Sequence, residues 1–319
     1  MRTDILMVVF LFVFSTNLFA HGQASSSKED TTPKVESAQG QGGDKRRVKD
    51  RKQENVASNE RAIVYPAKNR DNYKPGKGWQ LDWADEFDGK ELDLKNWTRQ
   101  VLPKPFNKEW QQYFDRKENS YVTDGFLVLK AIHHSKKHGD KQYTSARLHT
   151  GGKQQWTYGK IAARIQLPHG KGIWPAFWML GSNINEIGGD TPWPKCGEID
   201  ILELYGSKDD AVVEANLHYY DSGHKMTGAA PLKLKEGIFA GEFHVFEIQW
   251  NDKQIVWSVD GVKYHEQDIS KPAMKSFHKD FYILLNVAVG GEWAGRPDDS
   301  TPFPSLMYVD WVRVYKPAK

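Results

Sequence analysis

The sequence predicts an all-β domain folded as a sandwich of two antiparallel sheets. Short segments of alternating apolar and polar residues recur from Gly76 onward, and the turns between them are rich in Gly, Asn and Asp. No long stretch keeps a helical apolar period, and no internal repeat is visible. Strands with one wet and one dry face must bury the dry one, and a second sheet is the natural cover.

At 319 residues, 13% of them aromatic and 27% charged, the chain suffices for one large core with appendages. Residues 1–24 read as a signal peptide. Arg2 precedes the apolar run from Ile5 to Phe14, and Gly22-Gln23-Ala24 offers a small-residue exit with cleavage expected after Ala24. The run is short for a membrane span, so no membrane span is expected in the mature chain; an uncleaved anchor is the alternative. No cysteine stands near the exit to carry a lipid. A secreted protein, extracellular or periplasmic, is the expectation.

Residues 25–75 are of different composition: a serine run, Gln39-Gly40-Gln41-Gly42-Gly43, then Lys45-Arg46-Arg47-Val48-Lys49-Asp50-Arg51-Lys52. With so few core formers a disordered polar linker is expected. It holds 12 Lys and Arg against 8 Asp and Glu, so the chain's net charge of +3 belongs to the linker and not to residues 76–319. An exported basic tether rarely meets nucleic acid, so none is expected as a partner. A monomer is expected.

Residues 76–319 form the single folded domain of this reading. Strands are expected at 125–131, 159–167 and 243–250. Ile255 to Tyr264 reads as strand–turn–strand about Asp260-Gly261, a dipeptide suited to a two-residue hairpin turn. Cys196 is the only cysteine, which excludes an intrachain disulfide, and a small packed residue is the expectation for it.

The chain is organised around Gly197-Glu198-Ile199-Asp200-Ile201-Leu202-Glu203-Leu204-Tyr205-Gly206. β-branched residues alternating with acids favour a strand, yet strict alternation would drive Glu203 into the core, where an unpaired carboxylate is costly. A β-bulge at Ile201-Leu202 resolves this by returning Glu203 to the side of Glu198 and Asp200. Ile199, Ile201 and Leu204 then lie beneath. The two glutamates come to roughly 13 Å between Cα atoms at about 3.3 Å per residue. Long side chains leaning together can bring their carboxyls to about 5–5.5 Å, the separation of a retaining glycosidase. Asp200 between them can share a proton and keep their pKa values apart. Spacing alone leaves two other readings open. One is a strand's ordinary wet face; the other is a divalent-metal site, against which stand the lack of a nearby His and of a glycine-kinked calcium loop.

The surrounding blocks carry a resemblance. Trp174-Pro175-Ala176-Phe177-Trp178-Met179-Leu180-Gly181, then Trp193-Pro194-Lys195-Cys196-Gly197-Glu198-Ile199-Asp200, closely resemble glycoside hydrolase family 16. The acid motif, one position longer than Glu-x-Asp-x-Glu, is similar to that of the family's laminarinase-like branch. The likeness continues at Tyr143 to Leu148, Asn286 to Gly291 and Val309 to Tyr315, and covers nearly everything from Trp79 to Tyr315. It implies a jelly roll whose concave face forms a long cleft, with Glu198 as nucleophile, Glu203 as acid/base and Asp200 as their helper.

It also implies substrate contacts. Flat indoles stack on sugar C–H faces, and Trp174 and Trp178 match the family's cleft tryptophans; Trp193 and Trp293 are further candidates on loops. Since the chain has 12 Trp, core use is the alternative for each. Asn107-Lys108-Glu109-Trp110-Gln111 resembles an Asn-Asn-Glu-Leu-Gln block, departing at Trp110 and at Gln112, where Tyr is usual. Asn107 and Arg147 are implied donors to sugar hydroxyls on the non-reducing side, and His218 matches a cleft histidine. Glu86, Gly125 through its carbonyl, and Asp310 match places where family members hold a structural calcium; catalysis needs no cofactor. The resulting expectation is a secreted endo-β-1,3-glucanase acting on β-glucan with retention. The alternatives are a mixed-linkage β-1,3-1,4-glucanase, a transglycosylase, or a non-catalytic glucan-binding protein.

Overall fold

The computed structural model describes residues 72–319, apart from 139–140 and 229–230. The expected signal peptide, and the expected linker except for its last residues, lie outside the described residues.

Two sheets built almost wholly of antiparallel pairs enclose the core, as the alternation demands. The larger has Gly159–Gln166 at its middle, between His244–Trp250 and Ser305–Pro317. The smaller runs, in spatial order, His224–Gly228, Asn216–Tyr220, Glu198–Glu203, Ile173–Gly181, Phe281–Val289, Arg147–His149 and Thr98–Arg99. One short pairing, Gln111–Tyr113 with Lys141–Ser145, is parallel. Helix among the described residues is limited to Gly291–Ala294 and two 3-10 segments, Asn185–Ile187 and Pro272–His278.

The expected hairpin forms from Gln254–Val259 and Val262–Asp268, with Val259 opposite Val262. Asp260 and Gly261 both take positive φ, 52° and 77°, the combination a type I′ turn requires and Gly tolerates best. Between the sheets, Ile199, Ile201, Leu202 and Leu204 pack in one cluster with Phe246, Ile248, Trp257 and Val309 of the larger sheet. Each such fully buried side chain contributes about 1.5–3 kcal/mol, which fixes the acid strand firmly to the scaffold.

Packed chain begins ahead of the expected domain start at Gly76. The ring of Tyr73 lies 5.1 Å from that of Trp311, and its hydroxyl donates to Glu247. Lys160 Nζ donates to the Pro75 carbonyl at 2.6 Å. One aromatic residue in a polar stretch gave no period to read.

Candidate active site

The acid strand carries the bulge. Opposite Ile173–Gly181, Asp200 faces Trp178 while Leu202 faces Phe177, so Ile201 is the extra residue. Ile201 and Leu202 both point into the core, 1% and 0% exposed. The bulge takes the Asp200 carbonyl out of the regular ladder, and the indole N–H of Trp257, from the other sheet, donates to it at 2.9 Å. Glu203 then rejoins a ladder, exchanging backbone hydrogen bonds with Glu214 at 2.9 and 2.8 Å. Glycines bracket the strand for steric reasons. Gly197 has φ +87°, and a Cβ there would meet the Phe281 ring at 2.8 Å; one at Gly206 would meet the Gly170 carbonyl at 2.0 Å.

Glu198, Asp200 and Glu203 thereby line one cavity together with Asn107, Arg147, Trp174, Trp178, Trp193, His218 and Trp293. Every substrate-contact residue expected from the sequence is in this group. Glu203 is the most closely held of the acids. Trp174 Nε1 donates to its Oε1 at 3.1 Å, Asn216 Nδ2 to its Oε2 at 3.0 Å, and the Tyr205 hydroxyl adds a third bond. Glu198 accepts from Trp193 Nε1 at 2.6 Å. Asp200, 2% exposed, has His218 Nε2 3.4 Å from its Oδ2, while the same nitrogen is 3.9 Å from Glu198 Oε1.

Burial raises the pKa of all three carboxyls. For Glu198 the charges of Asp200 and Glu203 add to it, against His218 and the Trp193 donor; for Asp200 the charge of Glu203 adds. For Glu203 burial outweighs the opposing hydrogen bonds of Asn216, Tyr205 and Trp174. With Asp200 and Glu203 buried and Glu198 partly so, each charge in the cleft makes the next ionisation harder. Cys196, buried beside them, has its thiol pushed up to about 12 by burial and by the charge of Glu198, which makes it a packed residue and not a nucleophile.

The structure changes several assignments in detail. Trp174 is 9% exposed and its polar edge is spent on Glu203, so it is a support for that acid before it is an open platform. Trp193 and Trp293, 44% and 51% exposed, present more free surface. Trp178 donates to Asn286 Oδ1 at 2.7 Å, and the Arg147 guanidinium lies 4.8 Å over its ring, with Glu186 3.5 Å from Arg147. Folding also brings His218 to the acids, so the absence of a histidine nearby in sequence does not hold in space. Asn216, Tyr205, Asn286 and His224 were not among the sequence candidates. Asn216 could have been found, because it sits two residues before His218 and a strand's period of two puts both on one face.

The calcium ligands fare differently. Both oxygens of Glu86 are taken by Arg313, at 2.7 and 2.8 Å, and Asp310 Oδ2 by Arg164 at 2.7 Å. Gly125 has φ +79°, next to Asp124 at 51°, in the turn between Ser120–Thr123 and Phe126–His138, as a tight hairpin requires. A calcium ion could use the Glu86 carboxylate only by displacing Arg313, and at Asp310 Oδ2 it would compete with Arg164, so the side chains as arranged favour the two ion pairs.

Protonating an ether-like oxygen while a second carboxylate attacks beside it is the chemistry this cleft is built for, and it makes the chain a glycoside hydrolase of the β-sandwich type. The sequence model of "Glycosyl hydrolases family 16" matches residues 106–313. The chain belongs to that family. It is 36% identical over 249 residues to a beta-glucanase of Rhodothermus marinus, covering 75% of this chain and 85% of that one. The laminarinase catalytic domain from Thermotoga maritima superposes with a TM-score of 0.67 at 40% identity, over 76% of this chain and 100% of that one. The endo-beta-1,3-glucanase from Pyrococcus furiosus gives 0.66 at 42%, over 76% and 95%.

Proposed function

We propose that this chain cleaves internal β-1,3-glucosidic bonds of a β-glucan with retention. Glu198 attacks the anomeric carbon while Glu203 protonates the departing glycosidic oxygen, leaving a glycosyl ester on Glu198. Glu203, now ionised, takes a proton from water, whose oxygen displaces Glu198 and restores it as a carboxylate. Asp200, the most buried of the three, is hydrogen-bonded to Glu198, so the proton of one carboxyl is tied to the charge of the other beside the anomeric carbon.

The observation that carries this reading is the bulge. It sets Glu198 and Glu203 on one side of one strand, yet leaves them in unlike surroundings, an indole and an imidazole for the first and three neutral donors for the second. Unlike surroundings separate two carboxyls into two roles. Donor count does not rank the two; the assignment of nucleophile and acid follows the order of the glutamates in the motif. An internal cut is supported by lining on both flanks of the acid strand. Arg147 and Asn286 lie on one side, and His218, His224 and Met226 on the other. The relatives named as laminarinase and endo-beta-1,3-glucanase support the linkage.

The test is product analysis on laminarin, lichenan and agarose side by side. A ladder of short oligosaccharides appearing first and fastest from laminarin is expected. Faster cleavage of lichenan, or cleavage of agarose alone, would overturn the linkage.

A further inference from the structure

Two histidines on neighbouring strands meet beside the acids. The rings of His218 and His224 stack with centroids 5.2 Å apart and 20° between planes, and His218 Nδ1 lies 2.9 Å from His224 Nε2. The remaining nitrogen of His218 is the one facing Asp200 and Glu198. Trp193 completes the group, its ring 4.7 Å from that of His224 while its N–H donates to Glu198. A single hydrogen bond at Nδ1 settles which way an imidazole ring turns and which nitrogen carries its proton.

We propose that His224 is a positioning residue of the hydrolytic reaction: its bond to Nδ1 holds the His218 ring so that Nε2 meets Asp200 and Glu198. The inference rests on the reading of Glu198 as nucleophile. His224 is exposed on its outer side; desolvation on the stacked side and the charge of His218 lower its pKa, which favours a neutral ring there. In the arrangement proposed, the neutral Nε2 accepts from His218 Nδ1–H, and the charged form of His218 presents its second N–H to the acids. Among the described residues, the titratable groups it faces are His218 on the adjoining strand and, past that ring, Glu198 and Asp200. The loop side offers the neutral indole of Trp193.

The consequence for chemistry runs through Glu198. His218 is among the influences that pull its raised pKa back down. If the ring swings away, Glu198 keeps its proton to higher pH, and the fraction of enzyme with an ionised nucleophile falls. A residue that only stacked on sugar would act on substrate affinity instead.

His224→Phe keeps a ring and removes both nitrogens; His224→Gln restores a polar group near the place of Nε2. Their kcat and KM on laminarin are measured across pH, beside thermal melting. For His224→Phe we expect kcat to fall about tenfold, the effect of one such hydrogen bond, with KM within about twofold. The acid limb of kcat/KM moves to higher pH by about half a unit or more, and His224→Gln recovers most of both effects. Unmoved kcat and limb in His224→Phe, a change in KM alone, or a Gln variant as impaired as Phe would each overturn the proposal. A wild-type chain inactive on every glucan would instead sink the functional reading, so the two failures are distinguishable.

Discussion

Replacing Trp174 by Phe should move the alkaline limb of the pH–rate profile upward. The substitution keeps an aromatic ring in the cleft and removes one N–H, which donates to Glu203 Oε1 at 3.1 Å. That donor favours the ionised form of Glu203, so its loss lets the acid keep its proton to higher pH. A hydrogen bond to a charged group is worth about 1.5–3 kcal/mol. Asn216 and Tyr205 still serve the carboxylate, so a differential of about 1 kcal/mol is a fair share, and at 1.36 kcal/mol per unit the limb moves by about 0.7 unit. A more tightly held proton also makes a weaker acid, so kcat on natural glucan falls more than on substrates with activated phenolic leaving groups. The assay is kcat/KM against pH on laminarin, paired with an aryl glycoside. A KM several times higher with both limbs unmoved would refute the argument and return Trp174 to the role of sugar platform.

Two further outcomes follow from the same geometry. Asp200→Asn should abolish most activity yet stabilise the fold at neutral pH. The Asp200 pKa is raised in the folded state, so its contribution to stability is present below its unfolded value and is lost as pH rises through the raised one. The gain, about 1 kcal/mol or about 2–4 °C in Tm, should appear at neutral and alkaline pH and vanish in acid; a Tm gain independent of pH contradicts the charge argument. Chelator should leave Tm unchanged, since Arg313 and Arg164 hold the carboxylates of Glu86 and Asp310; a drop reversed by added calcium would restore the metal site.

Much of the fold was legible because the period of two is local. Asp260-Gly261 marked its hairpin, and the cost of burying Glu203 pointed to a bulge within one residue of its place. The acids and their lining came from motif blocks. What sequence hid was partnership across strands. His224 meets His218 through the pairing of Asn216–Tyr220 with His224–Gly228, and register is set by the whole sheet. Trp174 looked like a sugar surface because nothing in its own segment says where its N–H goes. The calcium expectation likewise had no sight of Arg313, which Glu86 meets through the pairing of Trp79–Asp85 with the last strand. Tyr73 contacts Trp311 from the far end of the described chain.

The central claim is that Glu198 and Glu203 are the two halves of one double displacement, and azide separates them most directly. In Glu198→Gly a hole replaces the nucleophile, and azide entering it attacks the anomeric carbon to give an α-glycosyl azide. In Glu203→Ala, an aryl β-glycoside still forms the ester on Glu198, and azide then displaces it to give the β-glycosyl azide. The measurement is the anomeric configuration of each azide product by proton NMR. The account predicts α from Glu198→Gly and β from Glu203→Ala; the reverse pairing, or near wild-type hydrolysis of glucan by both variants, contradicts it.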